Sequence, residues 1–213
     1  MRTAVKRWFG LMAAAVMLGL AAGPGLAAPL RLAVLGDSLS AGYGLAADEA
    51  FPARLEARLK TEGYDVTVVN AGVSGDTASA GLARLDWAVG DDIEAAIVEL
   101  GANDALRGID PAVTEAALDA IVARLAARGI AVMLAGMKAP PNMGEDYVKR
   151  FDAIYPAIAR HHQVAFYEFF LDGVAARPGL NQTDGMHPTA EGVEVMVETM
   201  LPAVKSFLAG IRR

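Results

Sequence analysis

Five short runs of aliphatic and β-branched residues alternate along this chain with longer stretches in which apolar residues return every three or four positions. That alternation narrows the possible folds more than any other feature. The runs are Leu30 to Leu35, Val66 to Asn70, Ala95 to Leu100, Ile130 to Ala135 and Val164 to Tyr167. Each is shorter than an ordinary helix and apolar on both alternating faces, as expected of strands covered from both sides in a parallel sheet. Helical spacing marks Phe51 to Glu62, Asp76 to Ala88, Pro111 to Arg128, Tyr147 to His162 and Thr189 to Ile211. Gly63, Gly90 and Gly129 fall where helices should stop, and Asp76 and Asp110-Pro111 where they should start. Strand and helix in strict alternation predict an α/β domain with helices on both faces of a parallel sheet. No repeat, linker or low-complexity stretch divides it. Ligands of such open sheets bind beyond the carboxyl ends of the strands, so the residues just after each run are the first place to look for chemistry.

The first 27 residues have a different character. Arg2, Lys6 and Arg7 make a basic start, Phe9 to Ala22 run apolar without a charge, and Gly25-Leu26-Ala27 supplies small residues where a signal peptidase cuts. This pattern predicts a secretory signal over 1–27 and a domain over 28–213, exported to the periplasm or the medium. An uncleaved anchor is the alternative, but about 14 apolar residues fall short of the ~20 that span a bilayer as a helix. Cysteine is absent, so a lipid-anchored lipoprotein, disulfide staples, thiolate metal sites and a cysteine nucleophile are all excluded. Without the three basic residues the chain carries 16 basic and 25 acidic groups, a net charge of -9. That balance argues against nucleic-acid partners, whose phosphates are neutralised by Lys and Arg. No stable membrane anchor is expected after cleavage, and a monomer is the working expectation.

Four segments at the predicted rim carry chemistry. Gly36-Asp37-Ser38-Leu39-Ser40 puts a serine hydroxyl at the end of the first strand, the exposed and rigid perch a nucleophile needs. After the second strand, Gly72-Val73-Ser74-Gly75-Asp76-Thr77 can bring a bare backbone N–H to a ligand. Gly101-Ala102-Asn103-Asp104 places a side-chain amide donor after the third strand. Asp184-Gly185-Met186-His187-Pro188 sets a base and a carboxylate three residues apart, with Pro188 biasing His187 toward extended backbone. Any one of these could be ordinary turn chemistry. Four complementary groups on one rim point to a catalytic site.

In this order and spacing the segments resemble the SGNH hydrolases, or GDSL lipase/esterase family, over essentially the whole domain. Ala41-Gly42-Tyr43-Gly44-Leu45, Val73-Ser74-Gly75-Asp76-Thr77 and Asn103-Asp104-Ala105-Leu106-Arg107-Gly108 are similar to its subgroup of periplasmic acyl-CoA thioesterases, lysophospholipases and arylesterases. The resemblance implies a three-layer α/β/α sandwich around a five-stranded parallel sheet in flavodoxin-like order. It implies Ser38 as nucleophile, His187 as general base and Asp184 as the carboxylate that orients the imidazole. The Ser38 and Gly75 backbone N–H groups and the Asn103 amide would form the oxyanion hole, each donor worth about 3 to 4 kcal/mol of barrier. The implied substrates are carboxylic esters and acyl thioesters, with no metal or organic cofactor. Ala102 departs from the glycine of close relatives and adds a methyl beside Asn103. Asp37 and Asp104 read as structural hydrogen-bonding or capping residues.

Leu106 and Ile109 after the third strand, with Met137, Pro140, Pro141 and Met143 after the fourth, are candidates to wall an acyl-binding groove; the alternative is that they pack beneath a long loop. If that loop moves, Gly136 and Gly144 are its expected hinges. Gly42-Tyr43-Gly44-Leu45-Ala46-Ala47 fits a dinucleotide fingerprint but begins seven residues past Leu35, too late for the strand-end turn such a motif requires. His161-His162 closes a helix with no nearby clustered carboxylate in the sequence and reads as surface. A carbohydrate O-acetyl esterase and a noncatalytic envelope binding module remain alternative readings of the whole; the second should have lost Ser38, Asn103 or His187, and all three are present.

Overall fold

The computed structural model describes residues 28–211; the predicted signal segment lies outside the described residues. Five strands, β1 (Leu30–Gly36), β2 (Val66–Gly72), β3 (Ala95–Glu99), β4 (Ala131–Ala135) and β5 (Ala165–Tyr167), pair in the order β2-β1-β3-β4-β5. Every pairing is parallel. The helices are α1 (Ser38–Ala41), α2 (Phe51–Thr61), α3 (Ala78–Ala83), α4 (Leu85–Ala88), α5 (Ala102–Leu106), α6 (Pro111–Ala127), α7 (Glu145–Asp152), α8 (Ile154–His162) and α9 (Ala190–Ala209). Helix α2 packs with α9 over one face of the sheet, while α3, α6 and α8 pack together over the other. This is the three-layer sandwich in flavodoxin-like order that the family resemblance implied.

The core is where the alternation put it. Leu32 to Leu35 of β1 and Ala95 to Val98 of β3 are fully buried, covered by Leu55, Leu59, Val197 and Val204 on one side and Leu118, Ile121 and Val122 on the other. Helix starts follow side-chain caps: Asp110 accepts from Ala112 N at 3.1 Å ahead of Pro111, and Thr189 accepts from Gly192 N at 3.2 Å. Thr77, rather than the expected Asp76, caps α3, accepting from Ala80 N at 3.2 Å.

Two predicted helices are each broken in two. The stretch Asp76 to Ala88 divides into α3 and α4 at Arg84, whose buried guanidinium turns inward to donate to Ala71 O at 2.8 Å and Gly36 O at 2.9 Å. The stretch Tyr147 to His162 begins at Glu145 and breaks at Ala153. Pro156 lacks an N–H and its ring crowds the carbonyl of Asp152, four residues earlier, so the helix restarts there. The single-turn helices α1 and α5 have no periodicity to betray them. Both directly follow strands and both carry candidate site residues.

Candidate active site

The carboxyl end of β1 runs through Gly36 into Asp37, whose carboxylate caps α1 by accepting from Leu39 N at 3.0 Å. Ser38 is thereby fixed as the first residue of a one-turn helix that Gly42 ends with φ 83°. A Cβ on Gly36 would overlap the Ser40 hydroxyl and the Glu99 carboxyl, so only glycine admits the buried groups packed behind the serine. Far along the chain, the loop after β5 is pinched by an antiparallel bridge between Asn181 and Pro188. Gln182 N donates to His187 O at 2.7 Å, and the Gln182 amide donates to Tyr43 O at 2.7 Å, tying this loop to the turn after Ser38.

That tie brings together residues 149 positions apart. His187 Nε2 lies 2.9 Å from Ser38 Oγ, and His187 Nδ1 lies 2.7 Å from Asp184 Oδ2. Asp184 Oδ1 accepts from Met186 N at 2.9 Å and His187 N at 3.0 Å. Those two N–H donors and the imidazole pull the Asp184 carboxyl down to about 2, led by the Met186 N–H. Asp184 is therefore an acceptor at neutral pH, so Nδ1 carries the proton and Nε2 turns its lone pair toward the serine hydroxyl. The Tyr43 ring lies against the imidazole, centroids 4.5 Å apart.

On the opposite side of Ser38, Asn103 in α5 places its amide nitrogen 3.0 Å from Asp37 Oδ2 and 3.0 Å from Asp76 O. Both amide hydrogens thus have protein acceptors. Neither the Ser38 nor the Gly75 backbone N–H donates to a protein acceptor among the described residues, and Gly75 has φ 86°. Gly101, with φ 116°, turns β3 into α5; a Cβ there would overlap the Tyr155 hydroxyl, which donates to Leu100 O at 2.9 Å.

Several supporting residues escaped the sequence analysis. Glu99, fully buried at the end of β3, accepts from Ser40 Oγ at 2.6 Å and from Asp37 N at 3.3 Å, while its Oε1 has no partner. Burial first, and then the neighbouring Asp37 carboxyl, push Glu99 well above the ordinary carboxylate range. Burial also raises Asp37 to about 6, against the pull of Leu39 N–H and the Asn103 amide. Two neighbouring buried carboxyls cannot both ionise cheaply, and the penalty falls most heavily on the fully buried Glu99. Arg84 clamps the ends of β1 and β2 and pairs with Asp76 at 2.5 Å, fixing the carbonyl that Asn103 meets. Asp104 performs the expected capping, accepting from Ala78 N at 2.9 Å and Thr114 Oγ1 at 3.0 Å. A buried acid or arginine leaves no periodic signature; only its neighbours explain it.

A cavity of about 420 Å³ opens beside Ser38, Asn103 and His187. Of the predicted wall residues, Leu106, Met137, Pro140 and Pro141 line it, as does Ala102. Ile109 and Met143 do not, which corrects the sequence expectation. Ile109 instead offers its carbonyl to the Tyr147 hydroxyl at 2.8 Å, and Met143 reaches toward Gly108. Phe169, Leu171 and Met186 complete the wall; the rule that pointed beyond the third and fourth strands would also have pointed beyond the fifth. Gly136 is not free to act as a hinge: its N–H donates to Tyr167 O and its carbonyl accepts from Phe170 N, both at 2.8 Å. A larger open cleft of about 930 Å³, lined in part by Ile130, Val164 and Phe207, lies at the amino ends of the strands, away from the serine. The dinucleotide-like stretch ends α1 at Gly42 and starts only a 3-10 turn at Ala47, so no helix N-terminus faces a phosphate there. His161-His162 needs correction too: α6 brings Asp119 to within 2.6 Å of His162 Nε2 and 3.3 Å of His161 Nδ1.

Comparison with known proteins gives the family. Residues 34–195 match the model of the GDSL-like lipase/acylhydrolase family. The chain is 41% identical over 183 residues to the esterase TesA of Pseudomonas aeruginosa, covering 85% of this chain and 91% of that protein. It is 38% identical over 175 residues to the thioesterase 1/protease 1/lysophospholipase L1 of Escherichia coli K12, covering 82% and 83% respectively. The crystal structure of the psychrotrophic esterase EstA from a Pseudoalteromonas species, inhibited by monoethylphosphonate, superposes with a TM-score of 0.80 at 30% identity, covering 84% of this chain and 99% of that one. The chain belongs to the GDSL-like lipase/acylhydrolase family, and it is a serine hydrolase.

Proposed function

We propose that this protein is an exported esterase and thioesterase that hydrolyses carboxylic esters and acyl thioesters of hydrophobic acids through an acyl-enzyme on Ser38. The observation that carries the reading is the hydrogen-bonded line Ser38–His187–Asp184 at the mouth of an apolar cavity. As Ser38 Oγ attacks the acyl carbon, its proton passes to His187 Nε2, and Asp184 stabilises the imidazolium. The negative oxygen of the tetrahedral intermediate is met by the Ser38 and Gly75 N–H groups and by Asn103 Nδ2, which exchanges Asp76 O for it. Collapse breaks the bond to the alcohol or thiol, which takes the proton from His187 and leaves. Water then repeats the sequence against the acyl-serine, with His187 again as base, and releases the acid. Leu106, Met137 and Pro141 receive the acyl chain. Export rests on the basic, apolar and small-residue pattern of residues 1–27.

Esterase TesA and the thioesterase 1/lysophospholipase L1 carry names consistent with this chemistry, and inhibition of EstA by a phosphonate suits a serine nucleophile. The test is hydrolysis of p-nitrophenyl acetate, butyrate, octanoate and palmitate, and of an acyl-CoA, by the protein and by Ser38→Ala. Turnover that rises beyond butyrate, extends to the thioester and vanishes in the variant is the expected result. Activity confined to acetate would replace the reading with a deacetylase, and activity on no ester would overturn it.

A further inference from the structure

We propose that Asp119 of α6 and His161 and His162 of α8 form a binding site for one divalent late-transition-metal ion, such as zinc, that clamps these two helices together. The site is independent of ester hydrolysis. It lies where α8 ends, toward the amino ends of the strands, whereas Ser38 sits at their carboxyl ends.

The three side chains converge. Consecutive residues on a regular helix point about 100° apart, yet these two imidazoles lie with centroids 4.5 Å apart. Helix α8 ends at His162, and Gln163 turns left-handed with φ 54° and ψ 38°. Both rings approach the same oxygen, Asp119 Oδ1. The three ligand atoms lie within 4.8 Å of one another. An ion bound at about 2.0 to 2.2 Å from each needs donor separations of roughly 3 to 3.6 Å. The separations of 2.6 and 3.3 Å from Asp119 Oδ1 come within reach by small side-chain rotations.

The charge of the surroundings also suits a cation. Both imidazoles hydrogen-bond to the Asp119 carboxylate, and a bound ion would take the place of the protons in those bonds. The carboxyl end of α8 adds the negative end of a helix dipole, which favours a cation there. Two imidazole nitrogens and one carboxylate oxygen suit zinc, nickel or copper rather than magnesium or calcium, which prefer all-oxygen shells. The His161 side chain is 72% exposed, leaving room for water to complete the coordination.

The test is titration of the untagged protein with zinc chloride, read by calorimetry and by thermal unfolding, with magnesium chloride as control. The expected result is a saturable site of one zinc per chain, absent with magnesium, and a Tm higher by about 5 °C at roughly a hundredfold excess over Kd. His161→Ala and Asp119→Asn should each weaken zinc binding by about tenfold or more, while hydrolysis of p-nitrophenyl butyrate without metal stays unchanged. His187 is the only other histidine, so His187→Ala must keep the zinc-dependent rise in Tm. His161 is exposed, and its replacement does not threaten folding. No saturable zinc site, or zinc binding unaltered in both His161→Ala and Asp119→Asn, would overturn the proposal.

Discussion

Among the described residues two aspartates meet histidines, and their shortest contacts look alike. His187 meets Asp184 at 2.7 Å and His162 meets Asp119 at 2.6 Å. The difference lies on the far side of the imidazole. His187 faces a serine hydroxyl at the end of β1, with an apolar cavity and a side-chain amide beside it. At Asp119 the neighbour is a second imidazole that competes for the same oxygen. A further contrast is how each carboxylate is held: Asp184 accepts two backbone N–H groups of its own loop, whereas Asp119 projects from the middle of a helix. A histidine on a carboxylate becomes a general base only where a framework presents a nucleophile to its other nitrogen. Without that framework the same pair is available as a ligand set.

Replacing the histidines tests the contrast most sharply. His187→Ala should lower kcat on p-nitrophenyl butyrate by about 10⁶-fold, and Asp184→Asn by about 10⁴-fold through the wrong tautomer, while His162→Gln should leave kcat within about twofold. Comparable losses at both pairs would break the distinction. Next in size, Asn103→Ala should cost roughly 10² to 10³-fold in kcat with little change in KM, because the donor meets charge that develops only in the transition state. A pure KM effect would remove Asn103 from the oxyanion site. Smaller still, Leu106→Asp should depress octanoate hydrolysis about tenfold more than acetate hydrolysis, since an acid in the cavity wall opposes a long apolar chain. Equal losses on both esters would place the acyl chain elsewhere.

The last prediction concerns stability and pH. Asp37 sits at about 6 in the folded protein against an ordinary 3.8, and Glu99 is displaced the same way. An acid whose folded value is raised holds its proton more tightly when folded. Its contribution is therefore complete below the unfolded value and declines as pH climbs through the folded one. Glu99→Gln keeps the shape and removes one ionisable group, so the fall in Tm from pH 5 to pH 8 should be smaller in the variant. An undiminished fall would mean that Glu99 is not the buried proton holder. Asp184 runs the opposite way: lowered to about 2, it favours the folded loop above pH 3.8 and gives up that contribution as pH falls toward 2.

The sequence by itself determined the five parallel strands, the principal helices and the four segments that gather at the strand ends. Those features follow from periodicity, capping chemistry and the rule that open sheets bind ligands at their carboxyl rim, all of which act locally along the chain. The segments at Ser38, Asn103 and His187 were legible for that reason. Tertiary structure decided the rest, because it depends on which distant residues meet. The separation of Ile109 and Met143 from the cavity was set by how the loop after β4 folds. The pinning of Gly136 came from strand pairing beyond β4 and β5. The upward shift of Glu99 came from burial beside Asp37. Asp119 stands more than forty positions from His162 in the chain, and only the packing of α6 against α8 makes them neighbours. Local sequence fixes backbone conformation, whereas burial, charge coupling and ligand geometry are properties of three-dimensional proximity.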